Sequence, residues 1–346
     1  MAVTFHASSS VPCVSGISNR QHIHLELWRI RFVPDYEQHL ITVTHNITTH
    51  ADGSFHACFN QTVRPGMALD AVDNDHNAHV SWFIPTMSMR IARVTDVVHG
   101  TINAGVPSYD VDPGYTLTVR VHQCSVISIG GPCPRVVKRS VTPDSAGLYR
   151  TDLTDAYDLR GGDTVSLTYE STAAFPGDTY EFEQWTPFMS VTVGDKDIIG
   201  YVNPKQTATF ELRDHGVLIS SVTATGVNQG QIGAVFSQYP ADGYLVSSDF
   251  ASDASLRIPN TDTTFPISSN GNQKIKTNCF PGLPLSISWQ GGGTGYAILT
   301  ADSQGRATLD LATQVAPGFH LAHNSVVRVY CIADTGDIVG HGHLVP

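Results

Sequence analysis

The sequence predicts an all-β fold, a serial array of three to four β-sandwich domains, and three observations carry that reading. A turn–strand–turn–strand cassette recurs, a short glycine marker recurs ahead of it, and composition is poor in helix formers. The fullest cassette runs from Asp144-Ser145-Ala146-Gly147-Leu148-Tyr149 to Leu159-Arg160-Gly161-Gly162-Asp163-Thr164-Val165-Ser166-Leu167. Asp bonds its own backbone and Gly tolerates positive φ, so Asp-x-x-Gly makes a tight turn. The residues that follow alternate, with Tyr149, Thr151 and Leu153 on one face, which is the period of a strand. Thr164 to Tyr169 is a β-branched run opened by Gly-Gly, and the two strands are expected to pair as a hairpin.

Shorter copies stand at Asp52-Gly53-Ser54-Phe55 with Arg64-Pro65-Gly66-Met67, and at Asp302 to Ala307 with Ala316-Pro317-Gly318-Phe319. The marker appears as Val14-Ser15-Gly16, Val98-His99-Gly100 and Ile198-Ile199-Gly200, spaced by roughly one sandwich length. An isolated hairpin cannot bury a core, so each copy is expected to sit in its own sandwich. The boundaries drawn from this are 1–86, 87–195, 196–266 and 267–346, the third module being the leanest. Within it, Thr207 to Leu212 and Val217 to Ser220 are expected to pair across Asp214-His215-Gly216. In the first, His22 to Ile30 alternates, with His22, His24, Glu26 and Trp28 on one face.

Charged residues are 15% of the 346, while 30 Gly and 19 Pro supply punctuation. A formal net charge of -11 without a Lys/Arg cluster argues against nucleic acid. No apolar run has the length of a membrane span. Met1 to Phe5 enters strand-like sequence directly, without the pattern of a secretory leader. The six cysteines fall in order as Cys13 and Cys58, Cys124 and Cys133, Cys279 and Cys331. Pairing in that order keeps each bridge inside one module and favours an oxidising, extracellular setting; six buried thiols are the alternative. Asn46 and Asn60 match the N-glycosylation acceptor pattern.

With these features in place, the chain resembles the tandem Ig-like β-sandwich repeats of bacterial cell-surface and secreted proteins. The shared pattern is Val-x-Gly, a strand pair, Thr-x-x-Asp-x-x-Gly-x-Tyr/Phe, then Pro-Gly-Asp-x-Val. Thr142 to Leu167 follows it best, whereas Met67 stands where the pattern has Asp. The resemblance implies Ig-like architecture and an extracellular or cell-surface location, and it transfers no catalytic residue.

Chemistry is weighed from the residues themselves. His22-Ile23-His24 and His341-Gly342-His343 each put two imidazoles on one strand face, and Asp70, Asp73, Asp75, His76 and His79 gather in one stretch. These are the metal candidates, though no calcium-loop template fits them. Glu181 and Glu183 share a face beside Trp185, but a glycosidase needs carboxylates on opposing walls. The Gln290 to Gly295 segment has no helix after it to cradle phosphate. No Gly-x-Ser-x-Gly elbow and no cysteine beside a base is found. Trp28, Trp82, Trp185 and Trp289 fall about one to a module, as core residues do.

The expectation is a noncatalytic structural or adhesive protein without a cofactor. Its partners would be copies of itself or other surface components, and it would form filaments by strand addition. The joining element would be Ala2 to Ala7 or His341 to Pro346. The competing reading is a carbohydrate- or metal-binding surface module.

Overall fold

The computed structural model describes the chain outside residues 34–35, 74–77, 104–116, 124–132, 171–176 and 228–229. It is an all-β array of Ig-like sandwiches. The first group of strands is β1 (Val3–Ser8), β2 (Cys13–Ser18), β3 (His22–Val33), β4 (Tyr36–Thr48), β5 (Ser54–Cys58), β6 (Met67–Asp73) and β7 (Ala78–Phe83). The second is β8 (Thr86–Ala92), β9 (Val97–Asn103), β10 (Leu117–His122), β11 (Arg135–Val141), β12 (Leu148–Asp152), β13 (Thr164–Glu170) and β14 (Thr179–Trp185). The third is β15 (Phe188–Val193), β16 (Asp197–Tyr201), β17 (Thr207–Asp214), β18 (Val217–Thr225), β19 (Gln231–Val235), β20 (Leu245–Ser248) and β21 (Ser255–Arg257). The fourth is β22 (Thr263–Thr264), β23 (Lys274–Asn278), β24 (Pro284–Gln290), β25 (Thr294–Thr300), β26 (Arg306–Asp310), β27 (Val326–Ile332) and β28 (Ile338–Leu344).

Among the described residues the first two groups share a seven-stranded sheet ordered β11-β10-β13-β14-β1-β2-β5, with smaller sheets β4-β3-β6-β7 and β12-β9-β8. The last two groups repeat this strand for strand, as β25-β24-β27-β28-β15-β16-β19 with β18-β17-β20-β21 and β26-β23-β22. The chain is thus a duplication of a two-sandwich unit. Each unit has one continuous apolar core, the first around Phe5, Leu69 and Leu167 and the second around Phe210, Ile287 and Val329.

One expectation is corrected by this pairing. Strands β12 and β13 do not form a hairpin; β12 pairs with β9, and β13 with β10 and β14. The cassette crosses from one sheet to the other, because Leu153 and Leu159 of its connection are drawn into the core. The Leu159 N–H donates to Asp96 Oδ1 at 2.8 Å, and in the second unit the Leu321 N–H donates to Gln273 Oε1 at 2.7 Å. Neighbouring groups are also joined edge to edge. β1 runs parallel to β14, and β15 parallel to β28, fusing sandwiches two by two. β15, whose residues precede the division drawn after 195, pairs with β16 and β28.

The recurring marker has a steric cause. A Cβ on Gly16, Gly100 or Gly200 would lie 1.9, 2.0 or 2.2 Å from the carbonyl oxygen of Thr4, Ser88 or Phe188 on the preceding strand. The cassette's aromatic lands opposite this glycine in two copies, Phe55 on Gly16 and Tyr149 on Gly100. In the last group Thr277 faces Ala307, so the smaller cassette residue goes with a larger partner. The β17–β18 hairpin forms across Asp214-His215-Gly216, with φ of 47° at His215 and 85° at Gly216.

Candidate functional site

A buried polar site lies where the two units meet. The 3₁₀ turn Arg93–Thr95 follows β8 and delivers Arg93 into the second unit. Its guanidinium is 3% exposed as a residue and meets Asp337, which is 0% exposed. Nη1 donates to Asp337 Oδ1 at 3.2 Å and to the Pro187 carbonyl at 3.0 Å, while Nη2 donates to Asp337 Oδ2 at 3.1 Å. Asp253 accepts from Nη2 at 3.0 Å, and the Phe250 ring lies 5.5 Å below the cation. Burial alone would lower the Arg93 pKa, but the carboxylates of Asp337 and Asp253 outweigh it and hold the guanidinium above its usual range.

Asp337 is itself held in place. It accepts the Met189 N–H at 2.8 Å and the Thr335 hydroxyl at 2.8 Å. Beside it the Gly161 N–H donates to the Thr335 carbonyl at 2.8 Å, and a Cβ on Gly336 would meet Gly161 backbone at 2.3 Å. A second clamp is Asn203, between β16 and β17. Its Oδ1 accepts the Ile91 N–H at 2.8 Å and Gln184 Nε2 at 3.0 Å, and its Nδ2 donates to the Ile91 carbonyl at 3.2 Å. An amide that reads both backbone groups of one residue fixes orientation as well as distance.

The residues singled out from sequence lie elsewhere. Cys13 bonds Cys58 between β2 and β5, and Cys279 bonds Cys331. Cys133 is also disulfide-bonded, whereas Cys124 lies outside the described residues, as do Asp75 and His76. The two histidine-bearing stretches of the first group come together on the outer face of β4-β3-β6-β7. There His24 Nε2 lies 3.4 Å from Glu26, and His79 Nε2 lies 3.1 Å from Asp70. His22 bonds Thr48 at 3.3 Å, and Asp73 pairs with Arg20 at 3.2 Å. His341 and His343 contact each other at 2.7 Å, with His341 buried. Among the described residues, the groups with three ligand atoms in mutual reach are Cys13, His56 and Cys58, and Cys279, Cys331 and His341. In both, the sulfurs are already joined to each other. Asn46 and Asn60 are exposed, and Asn46 Oδ1 meets His24 Nδ1 at 2.6 Å.

The fold and junction define a class: a tandem Ig-like β-sandwich protein with a buried inter-unit clamp. Solved structures similar to it include a tetra-tandem repeat from the extending region of a large adhesion protein, at 14% identity and TM-score 0.20 over 99% of this chain and 98% of that one. A biofilm-associated protein BSP domain matches at 10% identity and TM-score 0.19, over 99% of this chain and 96% of that one. The chicken CNTN1 FN1–FN3 domains match at 10% and 0.17, over 75% and 98%. No family model and no curated protein matches the chain. At these TM-scores the likeness carries no functional argument, and the class rests on the chain's own strand pairing.

Proposed function

We propose that this chain is a noncatalytic structural or adhesive element of the cell surface, working as a stiff spacer of two coupled units. The observation that carries the reading is the Arg93–Asp337 clamp. Intra-chain domain contacts move relative to one another by default unless the interface is large and apolar. Here a fully buried ion pair, the Asn203 bridge and a glycine-on-glycine contact fix the two units in one orientation. The internal disulfides Cys13–Cys58 and Cys279–Cys331 suit an oxidising setting outside the cell.

The strand-addition reading needs a different joining element from the termini. β1 lies between β14 and β2, and β28 between β15 and β27, so neither has a free edge. Assembly into filaments would use a lateral edge such as β25, where Tyr296 and Ile298 are about half exposed. Small-angle X-ray scattering of the intact chain tests the spacer reading. One rigid conformer should fit the profile across 0.05–0.5 M salt, roughly the range that screens surface charge but not a buried pair. A profile that needs an ensemble of inter-unit angles would overturn it.

A further inference from the structure

A groove of about 770 Å³ opens along the same junction, with β8 on one wall and the β16–β17 turn on the other. Among the described residues its charged lining is Arg64, Arg90 and Lys205, with no carboxylate. All three are exposed, and none has an ion-pair partner among the described residues. On a chain of net charge -11, three unopposed cations in one groove are not the average surface. Lys205 adopts the left-handed region, φ 63°, with its amide bonded to the Gly226 carbonyl at 3.1 Å. That conformation is disfavoured for lysine and persists where the surroundings enforce it. Two residues before Lys205, Asn203 bonds both backbone groups of Ile91 and ties this turn to β8.

The positive surface continues past the groove. Arg90 is in register with His99, which is in register with Arg150. Burial first, and then Arg150 and Arg90, push the His99 pKa down. The groove also presents Tyr201, whose ring is fixed against Trp185 at 5.8 Å and Phe188 at 5.5 Å.

We propose that this groove binds an anionic saccharide, with Arg64, Arg90 and Lys205 on its carboxylate or sulfate groups and Tyr201 against a sugar ring. A densely charged nucleic acid would be repelled by the acidic remainder of the chain. A peptide adding to the β8 edge would find the Ile91 N–H and C=O already taken by Asn203. The inference stands apart from the spacer reading, since it concerns a ligand and not stiffness.

The test is calorimetric titration of the full chain with a uronate tetrasaccharide and with a sulfated tetrasaccharide. Two controls are added, the uncharged methyl ester of the uronate and an oligoglutamate of equal charge. Binding by either acidic sugar is expected, at least tenfold tighter than the ester or the peptide and weakening with salt. The Arg64→Gln/Lys205→Asn variant, with Asn chosen for its tolerance of positive φ, should lose tenfold or more at an unchanged urea midpoint. Saturation should raise the His99 pKa followed by NMR, because a bound anion offsets Arg90. No binding by either sugar, equal binding of the ester, tighter binding of the peptide, or an unaffected variant would overturn the proposal.

Discussion

Asp178 and Asp337 hold the same place in the two units, and only Asp337 meets a cation. Each precedes the last strand of its unit and accepts a backbone N–H from the first, Phe5 for Asp178 and Met189 for Asp337, both at 2.8 Å. The second oxygen of Asp337 takes Arg93 and Thr335, whereas that of Asp178 is buried without a partner.

Burial pushes the Asp178 carboxyl up to about 7, opposed only by the Phe5 N–H. A carboxyl raised above its unfolded value contributes stability below about pH 4 that is lost as pH rises towards 7. Asp178→Asn keeps the acceptor and removes the charge. It should stabilise the chain by about 3–4 kcal/mol more at pH 8 than at pH 4, read from urea midpoints. Equal gains at both pH values would contradict this.

Removing one side of the clamp should be costly. Arg93→Met leaves Asp337 buried and uncompensated, and a loss of about 3–5 kcal/mol is expected by denaturant unfolding. Adding Asp337→Asn should recover most of that loss. Asp253→Asn alone should cost under about 1 kcal/mol, because that carboxylate is 35% exposed.

The marker glycines should not accept alanine. Gly16→Ala, Gly100→Ala and Gly200→Ala press a methyl into a neighbouring carbonyl and should each cost about 1–3 kcal/mol or more. Gly233→Ala meets nothing within 4 Å and serves as the control, with a midpoint near that of the parent.

His341 should impose the opposite pH slope to Asp178. Burial, and then His343, lower its pKa to about 3, so the folded chain keeps it neutral. Its contribution is complete above about pH 6.5 and is lost as pH falls towards 3, at about 1 kcal/mol per pH unit. His341→Leu should flatten that acid limb in urea titrations; an unchanged limb would remove His341 as its source.

Architecture was legible because turn chemistry and strand period are local. Asp144 to Leu153 alternates as read, with Tyr149 and Thr151 inward, and the Asp214–Gly216 turn joins the strands expected of it. The cassette's crossing between sheets was not legible, since nothing in Leu153 or Leu159 says which sheet the next strand joins. The fusion of β1 to β14 was hidden for the same reason, as the partners lie about 170 positions apart along the chain. Arg93 drew no notice as one arginine in an ordinary stretch; its role exists only once Asp337 is brought across from the other unit. A trace was available in the repeated Gly177-Asp178 and Gly336-Asp337 pairs, each opening an alternating run. The groove cations come from three separate segments and show no cluster in sequence.

Hydrogen exchange at the Ile91 amide tests the central claim most directly. This N–H belongs to the first unit, and its acceptor, Asn203 Oδ1, belongs to the second. If the units are clamped as one body, Ile91 should exchange as slowly as core amides such as Val98 and speed up in Arg93→Met. Exchange at the rate of an exposed turn in the parent chain would mean that the junction opens freely, and the rigid two-unit account would be wrong.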